Sequence, residues 1–105
     1  MTQRERLPNR REHVLVNFTT ADGFRYTAGL GYFDDGRLAE IFLNAKKIGT
    51  AIETTARDSA VVASLALQHG VPTETIRRAV TRSGNGSATG PLGTLLDLLA
   101  SGIEP

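Results

Sequence analysis

The sequence predicts an α+β domain: a three-stranded antiparallel meander followed by one long and two shorter helices on one face, in the order β-β-β-α-α-α. Three observations carry this reading. Residues 13–45 form three apolar runs of strand-like alternation, parted by the turn signals "ADG" and "DDG". From Thr50 onward the apolar spacing lengthens to that of a helix. Two shorter periodic runs then follow the break "GVP" and the Gly/Ser-rich stretch "SGNGSATG".

The first strand is "HVLVNFTT", with Val14, Val16 and Phe18 on one side. "FRYTAGLGYF" sets Phe24, Tyr26, Ala28, Leu30 and Tyr32 against Arg25, Thr27, Gly29, Gly31 and Phe33. Two glycines on one strand face predict a close neighbour there, expected to be the long helix. In "RLAEIFLNA" the apolar Leu38, Ile41 and Leu43 break strict parity, which predicts burial on both faces or a bulge near Glu40. The long helix runs from Thr50 to His69. Its stripe is Ile52, Ala56, Ala60, Ala63 and Leu67, with Val62, Leu65 and Ala66 beside it, and Gly70 is the C′ residue. Its Thr and Val residues lower helix propensity, so packing must hold it. Thr73 caps a second helix reaching about Arg82, with Glu74 near the positive end of its dipole. "SGNGSATG" is a flexible connector. "PLGTLLDLLAS" forms the third helix, with Leu92, Leu95, Leu96 and Leu99 aligned.

The 105 residues suit one domain, 13–105, preceded by a mobile basic arm, 1–12, whose "RERLPNRR" holds four arginines and one glutamate. A net charge of +1 gives no overall pull toward nucleic acid or anionic membrane. The absence of cysteine removes disulfides, thiolate nucleophiles and cysteine-based metal sites. No apolar run is long enough for a signal peptide or a span, so a cytoplasmic location is expected.

Catalytic motifs are weak. His13 begins a strand and His69 ends a helix, where a surface or capping role suffices. Asp34 and Asp35 belong to a hairpin turn. Glu40 lies inside an apolar strand, within reach of Arg37 or Lys46 for a structural ion pair. "GNGSATG" lacks the lysine and preceding strand of a phosphate-binding loop. "ALQHGVPTETIRRAVTR" has the spacing of a helix-turn-helix, which would aim Arg77, Arg78 and Arg82 at DNA. A helical hairpin on the sheet explains it more simply, given the near-neutral charge.

Taken together, "DGRLAEIF" from Asp35, Lys47 and Gly49 in "KKIGT", and "SLALQHGVP" from Ser64 to Pro72 resemble the TSCPD domain. "GPLGTLLDLL" is similar to the tail of its free-standing members. The family is an accessory region of adenosylcobalamin-dependent (class II) ribonucleotide reductases and also occurs as small bacterial and prophage proteins. The resemblance implies a role in DNA synthesis as a non-catalytic accessory or binding module that acts through protein contacts. A reductase-type enzyme is the expected partner, and homodimerisation is expected. Nucleic acid is the alternative partner, and no membrane, cofactor or metal is expected. The family's cysteine motif has no counterpart here. The candidate interaction surface is Arg37, Glu40, Lys47, Arg77, Arg78 and Arg82.

Overall fold

The computed structural model describes residues 3–7, 13–46 and 49–102. Three strands, β1 (Val14–Thr19), β2 (Arg25–Tyr32) and β3 (Leu38–Ala45), form one antiparallel sheet in the order β1-β2-β3. Three helices follow: α1 (Thr50–Gln68), α2 (Thr73–Ala79) and α3 (Pro91–Ala100). The α+β meander with trailing helices is therefore present as expected. Among the described residues, no helix is long and apolar enough to cross a membrane.

Both hairpins turn where the sequence places Asp-Gly. Gly23 N–H donates to Thr20 O, and Gly36 N–H to Phe33 O, at 2.9 Å each. Gly36 has φ +91°, which favours a residue without Cβ. In β3, Gly31 pairs with Glu40 but Tyr32 pairs with Leu38, so Ala39 is the extra residue of a bulge. This is the irregularity expected near Glu40. It lets Leu38 pack against the same core as Ile41 and Leu43.

The core lies between the sheet and the helices. Val16, Phe18, Tyr26, Ala28, Leu30, Ile41 and Leu43 meet Ala56, Ala60, Ala63 and Leu67 of α1 and Leu92, Leu95 and Leu96 of α3. Small residues on α1 let its axis approach the sheet. Phe18 and Tyr26 stack across β1 and β2 with centroids 5.6 Å apart. At the end of α1, Gly70 N–H donates to Leu67 O and Val71 N–H to Ala66 O, the paired bonds of a Schellman stop. Gly70 takes φ +92° as the C′ residue.

Several expectations need correction. The glycines of β2 do not face α1. The helix sits on the Tyr26–Ala28–Leu30 side, and Gly29 and Gly31 face the opposite surface. There their missing side chains make room for Phe42 and Glu40 of β3. The outer members of the α1 stripe, Val62 and Leu65, are exposed, because one helix on a sheet buries only a narrow strip. Thr73 is the first helical residue, with Pro72 as N-cap. α2 ends at Ala79 and Val80 is already extended. The chain beyond it forms a small closed turn instead of an open connector. Arg82 bridges Ala88, Ser83 N–H donates to Ser87 O (2.8 Å), and Asn85 Oδ1 accepts from Ser87 N–H (3.0 Å). Ala88, at its end, packs against Gly93 of α3.

Residues 3–7, from the segment read as an arm, lie against the end of α1. Glu5 N–H donates to Gln68 O, and Arg4 Nε to Gln68 Oε1, both at 2.6 Å.

Candidate interaction surface

Among the described residues, those singled out from sequence do not gather into one site. Lys47 lies outside the described residues. Arg37, after the second hairpin turn, donates Nε to Asp35 (2.7 Å) and Nη2 to Glu5 (2.9 Å). Its guanidinium also lies over the Phe33 ring, 4.6 Å from the centroid. Asp35 accepts from both the backbone and side chain of Arg37, which holds its carboxyl below the usual carboxylate range.

The expected ion pair of Glu40 with Arg37 or Lys46 gives way to another arrangement. Glu40 is buried, and its Oε2 stands 3.6 Å from His13 Nε2. His13 in turn meets Phe42 edge-on, with centroids 5.1 Å apart. Lys46 Nζ reaches Asn17 Oδ1 at 3.5 Å. The other histidine, His69, places Nδ1 2.8 Å from Leu65 O at the end of α1.

Two of the helix-turn-helix-like arginines are drawn inward. Arg77 Nε and Arg82 Nη2 donate to Asp97 Oδ1 at 3.0 and 2.8 Å, and Arg82 Nη1 donates to Oδ2 at 2.9 Å. Arg82 Nη2 also donates to Arg77 O at 2.8 Å. A carboxylate of α3 thus fastens the end of α2 and the closed turn. Only Arg78, paired with Glu74 at 3.1 Å, points its charge outward.

The Arg82 hydrogen bonds, with Arg77 nearby, lower the Asp97 pKa. A lowered folded-state pKa contributes stability in full above the unfolded value of about 3.9, and that contribution is lost as pH falls through the folded value. Urea unfolding from pH 6 to pH 3 should therefore fall less steeply for Asp97→Asn than for the parent. Equal slopes would show that Asp97 does not carry this dependence.

The structure instead gathers residues that sequence reading did not assign to the interaction surface. β3 is an edge strand, and α1 caps part of its outer side. Ile41 N–H donates to Ser64 Oγ (2.8 Å), and Gln68 Nε2 donates to Ala39 O (3.0 Å). Beside these caps runs a cleft of about 570 Å³, lined by Phe42, Leu43, Val61, Leu65, Arg57 and Arg4 among others. Phe42, Val61 and Leu65 are 48%, 56% and 40% exposed. The alternation in "EIFLN" could have placed Phe42 on the face away from Ile41. Nothing in the sequence places Val61 and Leu65 beside it. Among the described residues, no group of three or more His, Asp or Glu side chains is placed to hold a metal ion.

No family model matches the chain. No solved structure matches it significantly. It is similar to proteins named vitamin B12-dependent ribonucleotide reductase. The identity is 39% to that of Agrobacterium fabrum, over 75% of this chain and 6% of the relative. It is 38% to that of Bradyrhizobium diazoefficiens, over 69% of this chain and 6% of the relative. It is 36% to that of Streptantibioticus cattleyicolor, over 69% of this chain and 12% of the relative. The chain therefore spans a small fraction of these proteins, and it is related to a domain-sized segment of vitamin B12-dependent ribonucleotide reductases.

Proposed function

We propose that the chain is a TSCPD-type accessory module that binds an adenosylcobalamin-dependent ribonucleotide reductase through protein contacts and performs no chemistry itself. The observation that carries this is the exposed apolar cluster of Phe42, Val61 and Leu65 beside the β3 edge. Apolar side chains grouped this way gain by being covered. The kinship with a segment of the reductases supports the choice of partner. Thiyl-radical chemistry needs a thiol, and no residue of this chain supplies one. Arg37, beside Glu5 at the same end of α1, would extend the contact.

The module would act as a homodimer. In β1, Thr20 N–H bonds inward to Phe24 O, so by the two-residue period Leu15, Asn17 and Thr19 turn their N–H and C=O groups outward. Leu15 is 63% exposed. The strand carries neither charge nor proline to discourage pairing with a second copy.

The test is retention of the host's vitamin B12-dependent reductase on the immobilised chain at micromolar concentration. Retention that is lost with Phe42→Asp is expected. No retention, or retention indifferent to Phe42→Asp, would overturn the reading.

A further inference from the structure

We propose that the cleft between β3 and α1 receives an extended partner segment with an apolar middle and a carboxylate near each end, the carboxylates about six residues apart on one face. This deepens the binding role proposed above by specifying the chemistry of what is bound.

The backbone sets the extended form. Ser64 and Gln68 occupy the outer groups of Ile41 and Ala39. Two residues beyond Ile41, Leu43 turns its N–H and C=O to the same outer side, at the wall of the cleft. An added strand is the form of chain that satisfies such an edge. Phe42, Val61 and Leu65 supply the apolar floor beside it.

The charges set the ends. Arg4 sits at one end, donating to the neutral amide of Gln68. Arg57 lines the cleft eleven positions earlier on α1, and no carboxylate pairs with it among the described residues. Glu40, the one acidic residue lining the cleft among the described residues, is engaged by His13. Eleven helical residues rise about 16 Å. An extended chain covers that distance in about five residues, and because alternate side chains share a face, six is the nearest spacing of at least that length that turns both carboxylates toward α1. Two guanidinium groups so spaced favour carboxylates at that interval. The exposed strand of a second copy is a poorer occupant, since β1 has no acidic residue to offer Arg57.

The test uses a fluorescent peptide of sequence Gly-Glu-Thr-Val-Thr-Val-Thr-Glu-Gly with blocked ends, whose glutamates and valines share one face when extended, read by anisotropy. Two controls accompany it: one with lysine for both glutamates, and one with the glutamates adjacent. The spaced acidic peptide should bind about tenfold more tightly than either control. Its amide shift changes should centre on Leu43, Val61 and Leu65. Arg57→Glu should abolish the preference, while Val62→Asp, exposed on α1 outside the cleft, should leave it intact. An unchanged thermal midpoint will show that both variants are folded.

Equal binding of the three peptides, or indifference to Arg57→Glu, would overturn the proposal. So would shifts centred elsewhere, or self-association abolished by Phe42→Asp without any peptide preference. The peptide is not drawn from a reductase, so this result can fail or succeed independently of reductase retention.

Discussion

Gly31→Ala is expected to destabilise the protein by about 1–3 kcal/mol, the cost of forcing an extra group into filled space. A Cβ at this position would stand 2.7 Å from Glu40 Cγ and 2.9 Å from its Oε2. Glu40 is 5% exposed and has little room to retreat. Urea unfolding should show a lower midpoint at an unchanged slope. The decisive measurement is the cycle with Glu40→Ala. If Glu40 is what Gly31 makes room for, the double variant should lose less than the sum of the two singles. Strict additivity would mean that the cost arises elsewhere in the strand.

Ser64→Ala should cost a comparable amount, about 1–3 kcal/mol, because it strands a buried donor. Ile41 N–H has Ser64 Oγ as its acceptor on the outer side of β3, and Ile41 is 2% exposed. The same hydroxyl lies 2.8 Å from Ala60 O and 3.1 Å from Ile41 O, so it ties helix to strand in both directions. Ser64→Thr keeps the hydroxyl and should recover part of the loss. A further consequence is colloidal: an uncapped strand edge is a template for pairing with other chains. Ser64→Ala should therefore form larger species by light scattering at concentrations where the parent does not. Stability within about 0.3 kcal/mol of the parent would show that water replaces the hydroxyl without loss.

Much of the scaffold was legible in the sequence because its signals are local. Asp-Gly pairs mark both hairpins, two-residue alternation marks β1 and β2, and Gly70 stops α1 where the chain says it should. Even the broken parity of "RLAEIFLNA" pointed to the bulge. What failed to read was non-local. Alternation divides β2 into two faces, but it does not say which face a helix takes, since one carries glycines and the other alanine and leucine. The early end of α2 depends on Arg82 reaching Asp97 across fifteen residues and on Ala88 packing against Gly93. The candidate surface was the least legible part. Arginines attract attention in a sequence, yet those at positions 77 and 82 are spent on Asp97. Phe42, Val61 and Leu65 look like ordinary core residues until the breadth of the helix–sheet contact is known.

The extra alanine in β3 sets the phase of everything after it. Leu38 and Ile41 both serve the interior only because Ala39 interposes a half-step between them. Flattening that bulge into ordinary pairing, with every residue kept, would leave the two halves of the strand competing for opposite sides. Either Leu38 would be turned outward, or Phe42 and Glu40 would be driven under the helix. The identity of the surface shown to the outside is thus held by a kink around an alanine that itself touches no solvent.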